Sequence, residues 1–322
     1  MEESPFLQEE EPIHLVPFIS DYGFKVTFGD ENSAFTKKAI ELLAQLDQPI
    51  EKLTMLRSEF AGINAEQRSG IYDVFCRDEK SQLFILELQA TSYVFFKERL
   101  LFYIFYLFIS MIRKGKGGFQ DIQPIHCICI VENRIMEEGG YYQRIKFRSE
   151  KGHAFYEDIE LHLVELGKFP IKKGEYHKLQ TELDELIYTM KYGHQIDLRK
   201  AIQVPPFWGK DWLEAAIQKL DQRKMTADDR VLLEIGIVKV NMIHYEQQML
   251  LENAKAEGEA KGIAEGKEEG RKQRIIKSLQ RGKLTLKEIA EDFEVLEAYI
   301  PKIKKEMDAP SSPPAPTIVP SA

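Results

Sequence analysis

Two short apolar runs joined by a charged segment constrain the fold of this chain more than any other feature. Residues 71–76 (IYDVFC) and 83–89 (LFILELQ) are rich in residue types that favour strands, and most of the residues between them are charged. Such a pattern predicts a β-hairpin. If the hairpin closes symmetrically about Lys80, Asp73 on the first strand lies directly opposite Glu87 on the second. The sequence therefore predicts that two acidic side chains meet in an otherwise apolar setting.

The predicted hairpin gathers three polar side chains on one face. Directly opposed residues have Cβ atoms about 4.5–5.5 Å apart, and Gln89 points to the same side as Glu87 because it is two residues further on. Two carboxylates this close are unfavourable unless one keeps its proton or a cation lies between them. Mg²⁺, a divalent ion that prefers oxygen ligands, suits the arrangement best. The pattern thus indicates a metal site at Asp73 and Glu87.

A simpler interpretation places the two acids on a solvated edge of the hairpin. An exposed face would carry more polar residues than Ile71, Phe75 and Ile85, which alternate with the acids. The register also depends on the assumed turn, because a slip of one residue would move Asp73 to the other face. The apolar setting favours the metal site over the solvated edge.

Other segments accompany the acids in a fixed order. They are residues 20–29 (SDYGFKVTFG), residues 86–89 (LELQ), the trio Phe96, Arg99 and Tyr103, and residues 159–169 (IELHLVELGKF). Together they resemble the PD-(D/E)xK family transposases, also called recombination-promoting nucleases. That family opens with Asp-x-x-Phe-Lys-x-x-Phe-Gly and has Glu-x-Gln where the wider superfamily has Glu-x-Lys. The resemblance covers roughly residues 15–170, about half of the chain.

The resemblance implies a metal-dependent DNA endonuclease that hydrolyses phosphodiester bonds and is associated with transposition or DNA recombination. Asp73 and Glu87 would bind Mg²⁺ or Mn²⁺, and Gln89 would complete the catalytic set. Lys25 and Arg99 are candidates for contacts with DNA phosphates. Because glutamine brings no positive charge, either another cation substitutes for the lysine or the metal stabilises more of the charge at phosphorus.

A second function, from another class, is a catalytically degenerate nuclease fold that acts as a DNA- or protein-binding module through its helical C-terminal half.

Two residue pairs have less specific patterns. Arg99 and Tyr103 are four residues apart, so they share a helix face that borders the site or caps the core. His126 and His162 lie within predicted strands, where packing is a more common role than catalysis.

Composition limits the partners and the compartment. The net charge of −8 argues against indiscriminate binding to nucleic acid, so a nuclease of this composition must gather its basic groups locally. The three cysteines lie in predicted strands without metal-ligand spacing, which is typical of reduced core residues in a cytosolic protein. The acidic N-terminus argues against a signal peptide, and the apolar run at 100–112 is too short to span a bilayer. We therefore expect a cytoplasmic protein with no membrane role.

The order of predicted elements indicates the fold class. A helix at 33–45, a strand at 53–60, the hairpin, a helix at 92–113 and strands at 125–131 and 159–166 follow one another. This order predicts an α/β fold built on a mixed sheet, with an α-helical C-terminal extension. The resemblance implies that this sheet is restriction-endonuclease-like and flanked by helices.

The predicted domain boundaries follow composition. They are an acidic flexible N-terminus (1–15), a PD-(D/E)xK nuclease-like core (16–172), a helical region (173–251), a charged glycine-repeat helical linker (252–274), a small helix-turn-helix-like module (275–307) and a disordered proline-rich tail (308–322).

The C-terminal extension combines a repeat with a basic run. Gly258, Gly262, Gly266 and Gly270 recur among charged residues, which indicates a solvated helical linker that frays unless self-association orders it, rather than a membrane-packing motif. Residues 271–287 hold seven basic residues and no acid, and a capping box at Thr285 starts a further helix. The module either places basic groups near DNA phosphates or serves as a cap or oligomerisation tail. DNA and a homo-oligomer formed through the C-terminal helices are the expected partners.

Overall fold

The computed structural model describes residues 12–60, 70–89, 95–112 and 118–307. Packing divides the chain into two compact units, Met1–Met242 and Ile243–Ala322. The predicted proline-rich tail at 308–322 lies outside the described residues, as do residues 1–11 of the acidic N-terminus.

A six-stranded mixed sheet forms the centre of the first unit. Its strands are β1 (Leu53–Met55), β4 (Val74–Asp78), β5 (Leu83–Gln89), β6 (Ile125–Val131), β7 (Tyr142–Arg148) and β8 (Ala154–Glu165). They lie in the order β1-β4-β5-β6-β8-β7. The central strands β5, β6 and β8 are parallel, and the outer strands run antiparallel to their neighbours. The predicted mixed α/β fold is confirmed.

Helices cover both faces of this sheet. Those of the first unit are α1 (Asp21–Phe28), α2 (Ala34–Ala44), α3 (Phe96–Met111), α4 (Glu182–Tyr192), α5 (Asp211–Leu220) and the beginning of α6 (Ala227–Arg281). The core on one face is built from α1, α2, α4 and α5, and the core on the other face is built from α3. Because β6 is covered on both faces, all seven of its residues are buried, as its continuous apolar run predicted.

Alternation along β5 decides which side chains reach α3. Phe84 and Leu86 belong to the larger core, whereas Ile85 belongs to the core that contains α3. Successive side chains of a strand point to opposite faces. Glu87 and Gln89 therefore share the α3 face with Ile85.

The hairpin of β4 and β5 has the predicted register. Val74 pairs with Leu86 and Arg77 with Leu83, which is the pairing that closure about Lys80 requires. The buried side chain of Asp78 holds the turn, because its Oδ1 accepts hydrogen bonds from the backbone N–H groups of Lys80 (3.0 Å) and Gln82 (2.7 Å). The predicted register is confirmed, but the first strand is Val74–Asp78 rather than 71–76, because Ile71 pairs in a separate ladder.

Three other expectations need correction. The strand predicted at 53–60 is two strands, because β1 joins the main sheet whereas β2 (Glu59–Phe60) pairs with β3 (Gly70–Ile71) in a separate ladder. The helical region predicted from residue 173 has its first α-helix only from Glu182, since a capping box at Thr181 starts it there. Strand β7 was not predicted, because its sequence YQRIKFR is largely polar and it forms an edge of the sheet.

The second unit contains most of α6 together with α7 (Leu286–Asp292) and α8 (Ile300–Met307). Helix α6 runs without a break through the four-glycine repeat, where the residues are exposed, as the solvated helix predicted. The capping box of Thr285 with Glu288 begins α7 as predicted. A small core holds the three helices together, and its buried members are Ile275, Ile289, Ala290, Ile300 and Ile303.

Candidate active site

The structure brings Asp73, Glu87 and Gln89 to one place beneath α3. Asp73 directly precedes β4 and is half-buried, whereas Glu87 and Gln89 on β5 are 3% and 6% exposed. Their neighbours on this face include the buried Tyr72 and Cys129. The arrangement is not the solvated edge that the simpler interpretation required.

Asp73 and Glu87 are joined by two reciprocal hydrogen bonds. The backbone N–H of Leu88 donates to Oδ2 of Asp73 (2.8 Å), and the backbone N–H of Asp73 donates to Oε1 of Glu87 (3.3 Å). Each carboxylate is thus held by a backbone N–H group of the opposite strand segment. Leu88, next to Glu87, holds Asp73, and Asp73 itself holds Glu87. The hairpin register produces this contact, since it sets the two residues opposite each other.

The environment opposes a full negative charge on this pair. Burial and the charge of Asp73 raise the pKa of Glu87 to about 8, although the Arg99 guanidinium offsets part of the rise. Burial also raises the pKa of Asp73, against the hydrogen bond from Leu88 and the charge of Lys25. One proton on the pair, or a cation beside it, relieves the repulsion near neutral pH.

Arg99 supplies the positive charge that Gln89 lacks. Its Nη2 donates a short hydrogen bond to Oε1 of Gln89. Its guanidinium carbon lies 5.6 Å from the ring centre of Phe96 and 6.0 Å from that of Tyr103, which hold it on the inner face of α3. The same guanidinium opposes the rise in the pKa values of Asp73 and Glu87. A cation therefore lies next to Gln89 on this face.

Tyr103 borders the site, as its spacing from Arg99 indicated. Burial raises the pKa of Tyr103, and the charges of Glu87 and Asp73 add to this rise. The hydroxyl of Tyr72 donates to the backbone carbonyl of Tyr103 (3.4 Å), so the residue before Asp73 is tied to α3.

Helix α1 contributes charge from a different part of the chain. Lys25 forms an ion pair with Asp21 (2.8 Å), and its side chain is 54% exposed. The charge of Lys25 lowers the pKa of Asp73, whereas that of Asp21 raises it. Lys25 was a predicted phosphate contact. Asp21 had no predicted role, although its position four residues before Lys25 in the 20–29 segment was the available signal.

Comparison with known families identifies the family of this chain. The family model of the PD-(D/E)XK nuclease family transposases matches residues 18–235, which is more than half of the chain. The chain belongs to this family. Neither the curated proteins nor the solved structures contain a significant match to it. The match to the PD-(D/E)XK nuclease family transposases includes Lys25, Asp73, Glu87, Gln89 and Arg99, and it ends inside the first unit.

The residues present fit a divalent metal ion. PD-(D/E)XK nucleases use divalent metals, and hard cations of this kind take oxygen ligands. Asp73 and Glu87 offer carboxylate oxygens that are buried, held in place and destabilised by each other's charge. These are the two side chains of the candidate site that could hold the ion.

A second polar cluster lies away from these residues. His126, Glu160 and His162 are buried on β6 and β8. Burial lowers the pKa values of His126 and His162 to about 4 and about 3, so both imidazoles are neutral near neutral pH. Burial opposes the charge of Glu160, but hydrogen bonds from Arg144 and Lys146 prevail and lower its pKa to about 2. Both histidines are packed, as predicted.

Among the described residues, no helix combines the length and the hydropathy that crossing a bilayer requires.

Proposed function

We propose that this PD-(D/E)XK nuclease family transposase is a metal-dependent DNA endonuclease that hydrolyses phosphodiester bonds during transposition or DNA recombination. The observation that carries the proposal is the reciprocal bonding of Asp73 and Glu87 on the buried face below α3. Such a pair, with the pKa of one member raised to about 8, is arranged to receive a cation rather than to remain doubly charged.

Asp73 and Glu87 would hold Mg²⁺ or Mn²⁺. The ion, when bound, acidifies a coordinated water and shields the charge of the scissile phosphate. Glu87 must give up its proton to act as a ligand, so metal affinity rises with pH up to the range of its pKa, about 8. The hydrogen bonds to Leu88 and Asp73 hold the two carboxylates in their orientation.

Arg99 and Gln89 would act together in place of the superfamily's lysine. The guanidinium carries the positive charge toward the phosphate, and the carboxamide fixes the position of the guanidinium through its Oε1. A charge-assisted contact of this kind stabilises the negative charge that develops at phosphorus. Lys25, largely exposed on α1, would contact a phosphate at the rim of the site.

Metal-dependent nicking of supercoiled plasmid by the purified protein tests the proposal. Wild type should nick with Mg²⁺ or Mn²⁺ and should stop when the metal is chelated. Asp73→Asn and Glu87→Gln should lose activity by about 10²-fold or more, a loss typical of removing one electrostatic contact to the transition state. Glu79→Gln, in the exposed turn of the same hairpin, should nick as wild type does. Metal-independent nicking, or equal rates in all four proteins, would contradict the proposal.

The second candidate is a degenerate nuclease fold that binds DNA or a protein without cutting. The observation in its favour is Gln89, which leaves the usual lysine position without its own charge. This candidate predicts that wild type binds DNA as tightly as the active-site variants do and that it does not nick plasmid with any divalent metal. The nicking assay, run beside a binding assay, separates the two candidates.

A second copy of this chain, bound through α6, is the second partner that we propose. Exposed apolar residues on this helix recur at alternating steps of four and three, the spacing of a coiled-coil seam: Val231, Ile235, Val238, Met242, Tyr245 and Met249. A second copy of the same helix presents the same seam and can cover it. Ile235→Glu should lower the oligomeric state measured by light scattering, whereas Leu250→Glu, exposed but off the seam, should not.

A further inference from the structure

We propose that His126, Glu160 and His162 form a second metal site, separate from Asp73 and Glu87, that binds a transition metal of the zinc class. The site lies on the opposite face of the sheet. His126 pairs with Phe84 of the larger core, whereas Glu87 pairs with Cys129 of the core that contains α3. The inference concerns a different ion and different ligands from the proposed nuclease site, so it does not depend on nuclease activity.

The three donor atoms stand at the spacing of a metal's ligands. His126 pairs with Glu160 across β6 and β8, and His162 follows two residues later, so all three side chains share one face. Nδ1 of His126 lies 3.2 Å from Nε2 of His162, and Oε2 of Glu160 lies 3.4 Å from that Nε2 and 3.9 Å from that Nδ1. Donors about 2.0–2.2 Å from a tetrahedral zinc ion are about 3.3–3.6 Å apart. Shifts of a few tenths of an ångström would therefore bring the three donors to the spacing of three zinc ligands, and a water would supply the fourth.

The hydrogen bonds of Tyr142 prepare His162 for this role. The hydroxyl of Tyr142 donates to the backbone carbonyl of Leu43 (3.0 Å), so its oxygen accepts from Nδ1 of His162 (2.9 Å). That bond places the proton on Nδ1 and leaves the lone pair of Nε2 directed at His126 and Glu160. Metal-bound histidines typically donate their other ring N–H in this way, which fixes the ring and its tautomer.

The charges around Glu160 determine which metal the cluster selects. Arg144 donates to both carboxylate oxygens, through Nε (2.5 Å) and Nη2 (2.8 Å), and Nζ of Lys146 lies 2.8 Å from Oε1. These cations weaken a site for Mg²⁺ or Ca²⁺, which depend on carboxylate charge. Two neutral imidazoles instead favour Zn²⁺, Ni²⁺ or Cu²⁺. The competing arrangement is metal-free, with a hydrogen bond between the two rings and Glu160 compensated by Arg144 and Lys146 alone.

A bound ion would cross-link the centre of the sheet. His126 belongs to β6, whereas Glu160 and His162 belong to β8, and Tyr142 extends the cluster to β7 and to the end of α2. A ligand that binds only the folded protein stabilises it in proportion to the logarithm of its concentration over its dissociation constant. The expected effect is therefore structural.

The test measures metal content and spectrum in untagged protein that carries Glu87→Gln, so that the proposed nuclease site does not contribute. Elemental analysis should find about one zinc ion per chain, removal of zinc should lower the melting temperature, and Co²⁺ should give the visible absorption of a tetrahedral site. Adding His162→Gln should reduce metal affinity at least tenfold, and Tyr142→Phe should reduce it roughly 10- to 100-fold. His153→Gln, an exposed histidine, should change nothing.

A parent protein that folds but holds no zinc, gives no Co²⁺ spectrum and melts at the same temperature with and without Zn²⁺ would overturn the proposal and leave the metal-free ring pair. If His162→Gln fails to fold, the spectrum and zinc content of the parent protein decide alone. Plasmid nicking by the wild-type protein with Mg²⁺ tests the proposed nuclease site separately, because that activity depends on Asp73 and Glu87.

Discussion

At the residue scale, the protonation and metal affinity of the candidate site follow from the burial of the Glu87 carboxylate. The carboxylate is almost fully buried and shares its surroundings with Asp73, so its protonated form is favoured without metal. The charge of Arg99 partly offsets this rise in the pKa of Glu87, and its hydrogen bond to Gln89 keeps the guanidinium beside the pair. Two predictions about individual residues follow from these contacts.

The first concerns pH and stability without metal. Because the pKa of Glu87 in the folded protein, about 8, lies above its ordinary value of 4.5, its contribution is fully present below pH 4.5 and is lost as the pH rises through 8. Denaturation in chelator should show the unfolding free energy falling by on the order of a few kcal/mol across that window. Glu87→Gln should largely remove this fall, and Glu79→Gln should keep it. A wild-type slope in Glu87→Gln would contradict the assignment.

The second concerns the location of the positive charge. Arg99→Gln should slow nicking by roughly 10²-fold, because the cation bonded to Gln89 is lost. Gln89→Lys alone should also be slow, since it sets a second cation against Arg99. The double variant Gln89→Lys/Arg99→Gln moves the charge to the superfamily's position and should recover much of the rate. A double variant slower than both single variants would refute the exchange.

At the element scale, the hairpin and α1 position the site. The hairpin could be predicted because period-two alternation and the turn around Lys80 are local, and the register follows from them. The contact of Arg99 with Gln89 could not, since it depends on how α3 packs on the sheet. Strand β7 was missed because an edge strand does not require the apolar pattern of a covered one, and four of its seven residues are Gln, Arg or Lys.

Gly23 provides a test of the role of α1. A Cβ at this position would lie 2.1 Å from the backbone oxygen of Pro17, so any side chain must displace the start of the helix that carries Lys25. Gly23→Ala should destabilise the protein by about 1–3 kcal/mol or more and should reduce nicking. Gly140→Ala, where the new methyl group meets open space, is the matched control for thermal melts. Equal melting temperatures would show that α1 adapts without cost.

At the scale of the whole molecule, the chain has a part that matches the family and a second unit that lies beyond the match. The match to residues 18–235 falls within the first unit, and the acid-free basic run at 271–287 falls within the second. A chain with a net charge of −8 needs such a local run to approach DNA. The helices of the second unit could be predicted from capping residues and composition. Whether this unit binds DNA or a second copy of the chain could not, because no comparable local pattern specifies a binding partner.

Removing the chain from Glu252 onward tests that division. The truncated protein should bind DNA more weakly and with a shallower dependence on salt, because fewer phosphates are neutralised. Filter-binding or fluorescence titrations over a range of salt concentrations give both quantities. If affinity and salt slope match those of the full chain, the second unit serves self-association rather than DNA binding.

The account depends most on metal binding by Asp73 and Glu87 as a pair. Thermal melts of wild type and Asp73→Asn, each with and without Mn²⁺, measure this directly. Without metal, Asp73→Asn should melt at or above the wild-type temperature near neutral pH, because the charge of Asp73, which burial destabilises, is gone. Mn²⁺ should raise the melting temperature of wild type by mass action and should raise that of the variant far less. Equal shifts in the two proteins would place the ion elsewhere and contradict the account.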